Sequence, residues 1–155
     1  MTARTEPRPA RVAGREPRHR AREAAVQMLY QWEVGRALMP DVVQTFWLHD
    51  EPEAAIVGDA HRAFAQTLAA GVADTVGALD PVIVEAADHW RIERMNVLDR
   101  LILRLAVYEF LHEPGTPSRV IINEALELAR TFSNDDSVRF INGILDAIRR
   151  RLERE

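Results

Sequence analysis

Apolar residues recur every three or four positions along most of this chain, which is the spacing of one face of an α-helix. A first helix is predicted over about residues 18–36, where Gly35 and the later Pro40 mark its end. The residues that share its apolar face are Ala21, Ala24, Ala25, Met28, Leu29 and Trp32. The shorter apolar run over residues 42–48 predicts a second helix.

The middle of the chain predicts two helices separated by a break. One runs over about residues 57–76, and Gly77 fits its C-terminal end. The pair Asp80-Pro81 then resembles a helix start, because aspartate caps helices and proline is tolerated at the first helical position. We therefore expect a separate helix that continues to about residue 89.

The last third of the chain predicts three helices. Residues 96–111 are apolar on nearly every side, which is typical of a central helix covered by its neighbours. Two more helices are predicted over about residues 121–132 and 138–152. Because no useful length of strand alternation is present, the predicted fold is all-α, a compact bundle of about seven helices.

Three small polar positions lie inside these last helices. Gly143 in a helix interior costs about 1 kcal/mol relative to alanine, so we expect another backbone to pack closely there. Asn123 and Asn142 invite two interpretations, contact with a ligand or hydrogen bonding to a neighbouring helix. We favour structural hydrogen bonding for both.

Composition limits the class of protein. The 155 residues suit one domain, and 47% apolar with 28% charged residues is ordinary for a globular chain. The absence of cysteine excludes disulfides, thiolate metal sites and cysteine nucleophiles, and it suits a reducing cytoplasm. No apolar run approaches the roughly 18 residues of a membrane span, and no secretory signal follows the first arginines. We therefore expect a cytoplasmic protein with no membrane partner.

Charge is distributed unevenly along the chain. Residues 1–22 hold seven arginines against two glutamates, a net charge of +5, so the remaining residues carry −9. Residues 1–17 are rich in proline and poor in large apolar groups, which predicts a disordered basic arm before a helical domain over residues 18–155. A basic arm on an acidic body suggests an anionic partner for the arm and a basic partner for the body. The alternative is a solubilising tail.

Two polar segments are candidates for contact with nucleic acid. Residues 18–25, RHRAREAA, present arginines, whose planar guanidinium groups pair with phosphates and stack on bases. The turn at residues 133–137 precedes a helix whose free N–H groups can meet phosphates, and its alternative role is capping by Asp135 or Asp136. Helical phase favours core packing for Phe132, and Tyr30 and Trp32 are also interpreted as core residues rather than as base-stacking platforms.

Four motifs closely resemble the NusB family of bacterial transcription antitermination factors. They are RHRAREAAVQMLYQW at residues 18–32, LAAGV at 68–72, LDRLILRLAVYE at 98–109, and the pair INEALELA and RFINGILD over 122–146. The resemblance implies an all-α fold with two helical subdomains and no cofactor or catalytic centre. It further implies binding to boxA RNA in nascent ribosomal transcripts.

The resemblance and the residue chemistry together predict the RNA-binding residues. From the first motif these are Arg18, His19, Arg20, Arg22 and Gln27. From the turn and the last helix they are Ser133, Asp136, Ser137, Arg139 and Asn142.

A protein partner is implied in the same way. The motif at residues 98–109 resembles the helix that, in the family, helps bind NusE, a small-subunit ribosomal protein. Asp99 and Arg104 are assigned to that surface, and local ion pairing is the alternative. The family also implies assembly into an RNA polymerase antitermination complex, and self-association into a homodimer is left open.

The sequence leaves two alternatives to this function. The chain would be a helical adaptor, or an accessory domain related to the N-terminal domains of RNA cytosine methyltransferases, if it lacked affinity for boxA. A metal-dependent hydrolase needs a ligand cluster, for which the candidates are His49, Asp50, Asp59 and His61. Exposed loop and helix positions explain those four residues better, so we expect no metal site and no enzyme.

Overall fold

Six α-helices and two short 3-10 helices form the computed structural model, which describes residues 15–49, 58–88 and 90–154. The α-helices are α1 (Arg15–Glu33), α2 (Met39–Thr45), α3 (Asp59–Ala86), α4 (Val97–His112), α5 (Ser118–Phe132) and α6 (Asp135–Arg151). The 3-10 helices are Phe46–His49 and Ile92–Arg94. The all-α prediction is confirmed. Residues 1–14 of the predicted disordered arm lie outside the described residues, whereas residues 15–17 already belong to α1.

The prediction of two helices in the middle of the chain is wrong, because this region forms the single 28-residue helix α3. Gly77 is exposed within α3 and Pro81 lies inside it, although both residues disfavour a helix interior. Leu79 and Ile83 are fully buried, and burying two such side chains contributes about 3–6 kcal/mol, which offsets those costs. This merger explains why the described residues form six α-helices where about seven were predicted.

Helix α3 is also long and apolar enough to cross a membrane, as judged by length and composition alone. The expectation that no segment would reach this threshold is therefore wrong. The helix nevertheless carries Asp74 and Asp80, and it packs on α1 and α4 with Leu68 and Val72 fully buried. Packing within the bundle accounts for its apolar face.

Helix α4 runs through the middle of the bundle and contacts α1, α3, α5 and α6. Residues 101–107 are all buried, as expected for a helix that is apolar on nearly every side. One contiguous apolar cluster contains buried residues from all six α-helices. The two helical subdomains that the resemblance implies would therefore share a single core.

The start of α6 is capped by Asn134, whose side-chain oxygen accepts a 2.9 Å hydrogen bond from the Ser137 backbone N–H. The prediction that Asp135 or Asp136 provides the cap is wrong, because both lie in the first turn of the helix. Their negative charges there complement the positive end of the helix dipole.

A close backbone approach does exist, but at a different glycine from the one predicted. A Cβ at Gly143 would meet nothing within 4 Å, so the expectation there is wrong. A Cβ at Gly71 in α3 would overlap the ring of Tyr108 in α4. Asn123 and Asn142 are exposed, and neither side chain makes a hydrogen bond within the described part of the chain, so their expected structural role is wrong too.

Replacing Gly71 with alanine is expected to lower the free energy of unfolding by about 1–3 kcal/mol, because the added methyl group displaces the Tyr108 ring. Urea unfolding followed by circular dichroism measures this change. The matched control is Gly77→Ala in the same helix, where a Cβ meets nothing within 4 Å. That substitution should raise stability by up to about 1 kcal/mol. Equal effects at the two glycines would contradict the assignment of a close approach at Gly71.

Candidate functional site

The N-terminal end of α1 carries arginine charge at the surface. Arg18 is exposed, and its guanidinium carbon lies 5.3 Å from the centroid of the Phe64 ring in α3. A cation–π contact orients the side chain without neutralising its charge. Arg20 lies two residues further along α1, which places it on a different side of the helix, and it is half-buried. Contact of these two arginines with RNA stays a prediction.

Arg22 is buried with 2% of its surface exposed, so the prediction that it contacts RNA directly does not hold. Its guanidinium donates hydrogen bonds of 2.8–3.2 Å to both carboxylate oxygens of Glu109 in α4, which is itself 2% exposed. Burial on its own would lower the pKa of Arg22, but the hydrogen bonds and negative charge of Glu109 outweigh it and raise that pKa. Arg22 therefore joins α1 to the central helix.

His19 connects the start of α1 to α5. Its Nδ1 lies 2.6 Å from Oε2 of Glu124, and its Nε2 lies 3.5 Å from Oε1 of Glu23. The ring is partly covered, and Glu124 is buried. This geometry gives His19 a role in orienting α1, and its contact with RNA stays a prediction.

The turn between α5 and α6 is held by hydroxyl groups. The Ser133 and Ser137 hydroxyl oxygens lie 2.7 Å apart, and the Ser133 hydroxyl also lies 3.5 Å from Oδ1 of Asp99 in α4. Ser137 is buried, so the prediction that it contacts RNA directly does not hold, and Ser133 is half-buried. The predicted RNA-binding residues that are exposed here are Asp136, Arg139 and Asn142, the first two as an ion pair.

Asp99 and Arg104, the two residues assigned to a protein partner, are both buried at 6% exposure. Arg104 donates hydrogen bonds of 2.8 and 2.9 Å to Asp80 in α3 and one of 3.2 Å to Glu33 in α1. Asp80 is thus an ion-pair partner rather than the helix cap that was predicted. The burial of both side chains, together with the ion pairs of Arg104, corrects the expectation that Asp99 and Arg104 face a partner.

A cleft of about 490 Å³ opens where α1, the first 3-10 helix, α4 and α5 meet. Most of its walls are apolar. The lining residues are Val26, Gln27, Tyr30, Gln31, Phe46, Leu98 and Phe132. The cleft brings the exposed face of α1 next to the end of α5, directly before the Ser133 turn. Gln27, predicted to bind RNA, is exposed at its rim.

Two aromatic residues of the cleft were expected in the core. Tyr30 is 42% exposed, and Phe132 is half-buried with part of its surface in the cleft. A signal for Tyr30 exists in the sequence, because it falls outside the set of apolar positions on the buried face of α1. Phe132 has no such signal, because it does share the apolar face of α5 and is exposed only where that face reaches the rim of the bundle.

No group of three or more histidine or acidic side chains is placed to hold a metal ion within the described residues. Asp50 and the side chains of His49 and Asp59 lie outside them, and His61 is half-buried on α3. The expectation that residues 49–61 hold no metal ion therefore rests on their sequence.

Comparison with known proteins points to one family. The NusB family model matches residues 19–150. A transcription antitermination protein NusB from Solibacter usitatus is 42% identical over 139 residues, which cover 87% of this chain and 90% of that protein. One from Koribacter versatilis is 43% identical over 138 residues, covering 89% and 92%. These relatives are named as antitermination proteins and not as enzymes.

Solved structures agree with the family match. T. maritima NusB superposes with a TM-score of 0.75 at 32% identity, covering 86% of this chain and 91% of that one. A chain in the complex of antitermination factors NusB and NusE with double-stranded RNA superposes with a TM-score of 0.77, covering 88% and 98%. Its 20% identity makes that a likeness of fold alone. The family model and the curated relatives together establish that this chain belongs to the NusB family.

Proposed function

We propose that this chain is a transcription antitermination protein of the bacterial cytoplasm that binds boxA RNA together with the ribosomal protein NusE. Family membership supports the role, because the relatives that match most of the chain are named for it. A fold relative in a complex with NusE and RNA supports the partners. The chain performs no bond chemistry in this proposal, and its contribution is to hold RNA and NusE within an RNA polymerase antitermination complex.

The position of the cleft is the observation that carries the proposal. Its walls join Gln27 and Tyr30 of α1 to Phe132 of α5. The two segments that the sequence nominates for RNA, the first helix and the Ser133 turn, therefore flank one depression. A partner seated in the cleft would lie beside both segments.

The chemistry of the surface favours NusE as the occupant of the cleft. Exposed apolar surface with tyrosine is typical of protein interfaces, where aromatic side chains supply much of the binding energy. Leu98, next to the buried Asp99, offers the apolar contact on the helix that the resemblance assigns to NusE. The net charge of −9 on residues 23–155 suits a basic ribosomal protein.

The arginine end of α1 suits RNA instead. Arg18 and Arg20 present guanidinium groups for phosphates, and the exposed residues of α6 near the Ser133 turn add polar contacts. RNA that contacts both this chain and its bound NusE has two linked interfaces. Linking two modest interfaces raises the overall affinity through effective concentration, without any new contact.

Fluorescence anisotropy with a boxA RNA and a scrambled RNA, each with and without NusE, tests the proposal. We expect a preference for boxA that NusE strengthens. A salt series should show a linear fall of log affinity with log salt, as expected when arginines displace counterions. Equal, weak binding to both RNAs that NusE does not change would overturn the proposal in favour of a helical adaptor. Sedimentation of the free chain would show whether it self-associates.

Replacing Arg18 and Arg20 with glutamine is expected to weaken boxA binding by about tenfold. It should also lower the slope of log affinity against log salt by about 1 to 2, because a phosphate that loses its arginine contact keeps its counterion. Anisotropy in the presence of saturating NusE measures both quantities. The control is Arg36→Gln, an exposed arginine beyond the C-terminal end of α1, whose axis spans about 22 Å from Arg18 to Glu33. An unchanged slope in the double variant, or an equal loss in the control, would remove RNA from this end of α1.

A further inference from the structure

A second cleft lies on the outer side of the α5–α6 pair. It has a volume of about 290 Å³ and is lined by Arg119, Ile122, Asn123 and Arg149. Helices α5 and α6 are joined by a two-residue turn and pack on each other, so the start of α5 lies beside the end of α6. None of these four residues lines the first cleft or belongs to the predicted RNA-binding residues.

The charge of this cleft is positive on an otherwise acidic body. Arg119 is exposed and has no acidic partner within the described residues. Arg149 and Arg150 both bond to the single carboxylate of Asp146, so this group of three keeps a net charge of +1. The hydrogen bond from Arg149 is the main cause that lowers the pKa of Asp146. The Asp146 carboxylate therefore stays ionised near neutral pH, and the net charge of the three residues stays at +1.

Helix stability does not account for Arg119. It lies in the first turn of α5, where the positive end of the helix dipole disfavours a cation. The arginines at the end of α6 do complement that helix's dipole, so Arg119 is the informative cation of the cleft. An anion bound in the cleft would offset the unfavourable interaction of Arg119 with the dipole of α5.

Unpaired donors gather at the same end of the bundle. Arg154 donates to the backbone oxygens of Glu113 and Thr116, and its Nη1 is buried without a hydrogen-bond partner among the described residues. The Ser118 hydroxyl, next to Arg119, is likewise buried and without a partner there. Asn123 adds an exposed amide whose hydrogen-bonding groups no other described residue uses.

We propose that this second cleft binds phosphate groups of the RNA that flanks boxA, so that the RNA site extends along α6. The inference rests on the proposed RNA-binding function and deepens it. The path from the Ser133 turn to the cleft follows the exposed Arg139, Asn142 and Gly143, and Arg139 and Arg149 are about 15 Å apart along the helix. Ile122 offers an apolar surface for a base, and Asn123 offers an amide for a base edge or phosphate. A free phosphate or nucleotide would use the charges alone.

The test compares three RNAs by anisotropy with saturating NusE: boxA alone, boxA extended on the 5′ side and boxA extended on the 3′ side. The unchanged protein should bind one extended RNA about three to ten times more tightly than boxA alone, which is the effect of one or two charge-assisted contacts. Arg119→Gln should abolish that gain and leave binding to boxA alone unchanged. The salt slope for the extended RNA should fall by about 1 in this variant.

Arg94→Gln is the matched control, because Arg94 is also exposed but lies in the 3-10 helix before α4. The inference is overturned if neither extension tightens binding, or if Arg119→Gln keeps the full gain. It is also overturned if inorganic phosphate at millimolar concentration protects the protein against unfolding while the extended RNA gains nothing, because a free anion would then be the ligand. If the unchanged protein does not bind the RNA that contains only boxA, the proposed function itself is refuted.

Discussion

The variant Arg22→Met is expected to lower the free energy of unfolding by about 3–5 kcal/mol, because it leaves the buried carboxylate of Glu109 without its partner. Removing one member of a buried ion pair exposes the full desolvation cost of the other. Urea unfolding followed by tryptophan fluorescence measures the loss. Glu109→Gln should be less damaging, because the amide oxygen still accepts one hydrogen bond from the guanidinium.

The double variant Arg22→Met with Glu109→Leu separates structure from RNA binding at this position. Replacing both members of a buried pair with apolar groups of similar size is often close to neutral, so most of the lost stability should return. Because Arg22 is buried, the double variant should also bind boxA RNA within about twofold of the unchanged protein. A folded double variant that binds tenfold more weakly would restore Arg22 to the RNA surface. A single variant that costs less than about 1 kcal/mol would refute the structural role.

Replacing Tyr30 with alanine is expected to weaken NusE binding by about 30-fold, which corresponds to about 2 kcal/mol for an aromatic residue at the centre of an interface. The side chain is 42% exposed and lines the cleft, so its removal should change the free energy of unfolding only slightly. Titration calorimetry with purified NusE measures the affinity.

Leu111→Ala provides a matched control for Tyr30. Leu111 is 40% exposed near the end of α4, and it does not line the cleft. We expect its replacement to leave the affinity for NusE unchanged. An equal loss for both variants, or no loss for Tyr30→Ala, would show that NusE binds elsewhere. A change in self-association without any change in NusE affinity would assign the cleft to a second copy of this chain.

The local pattern of apolar residues located most of the helices, and the sequence motifs indicated the family. The ends of α4, α5 and α6 agree with expectation within a few residues, because helical periodicity and capping residues act over short distances along the chain. The break expected near Pro81 failed because burial of Leu79 and Ile83, a long-range effect, outweighed the local cost of glycine and proline.

The roles of individual charged residues depended on which helices meet. Arg18, Arg20 and Arg22 belong to one motif, yet only Arg22 is buried. A signal was available, since Arg22 lies three and seven residues before the apolar Ala25 and Leu29 and so shares their face of α1. A similar signal was available for Asp99 and Arg104. A charged residue in a helix that is apolar on nearly every side is expected to be buried, and a buried charge needs polar contacts within the protein.

Periodicity, charge distribution and the four motifs were thus sufficient for the fold class and the family, and they nominated the segments that are proposed to bind RNA. The Arg22–Glu109 pair, the contact of Gly71 with Tyr108 and both clefts join residues far apart along the chain. Their formation depends on how α4 packs against its neighbours, which no window of the sequence contains. Short-range spacing determines the helices, whereas long-range packing determines which of their polar side chains remain at the surface.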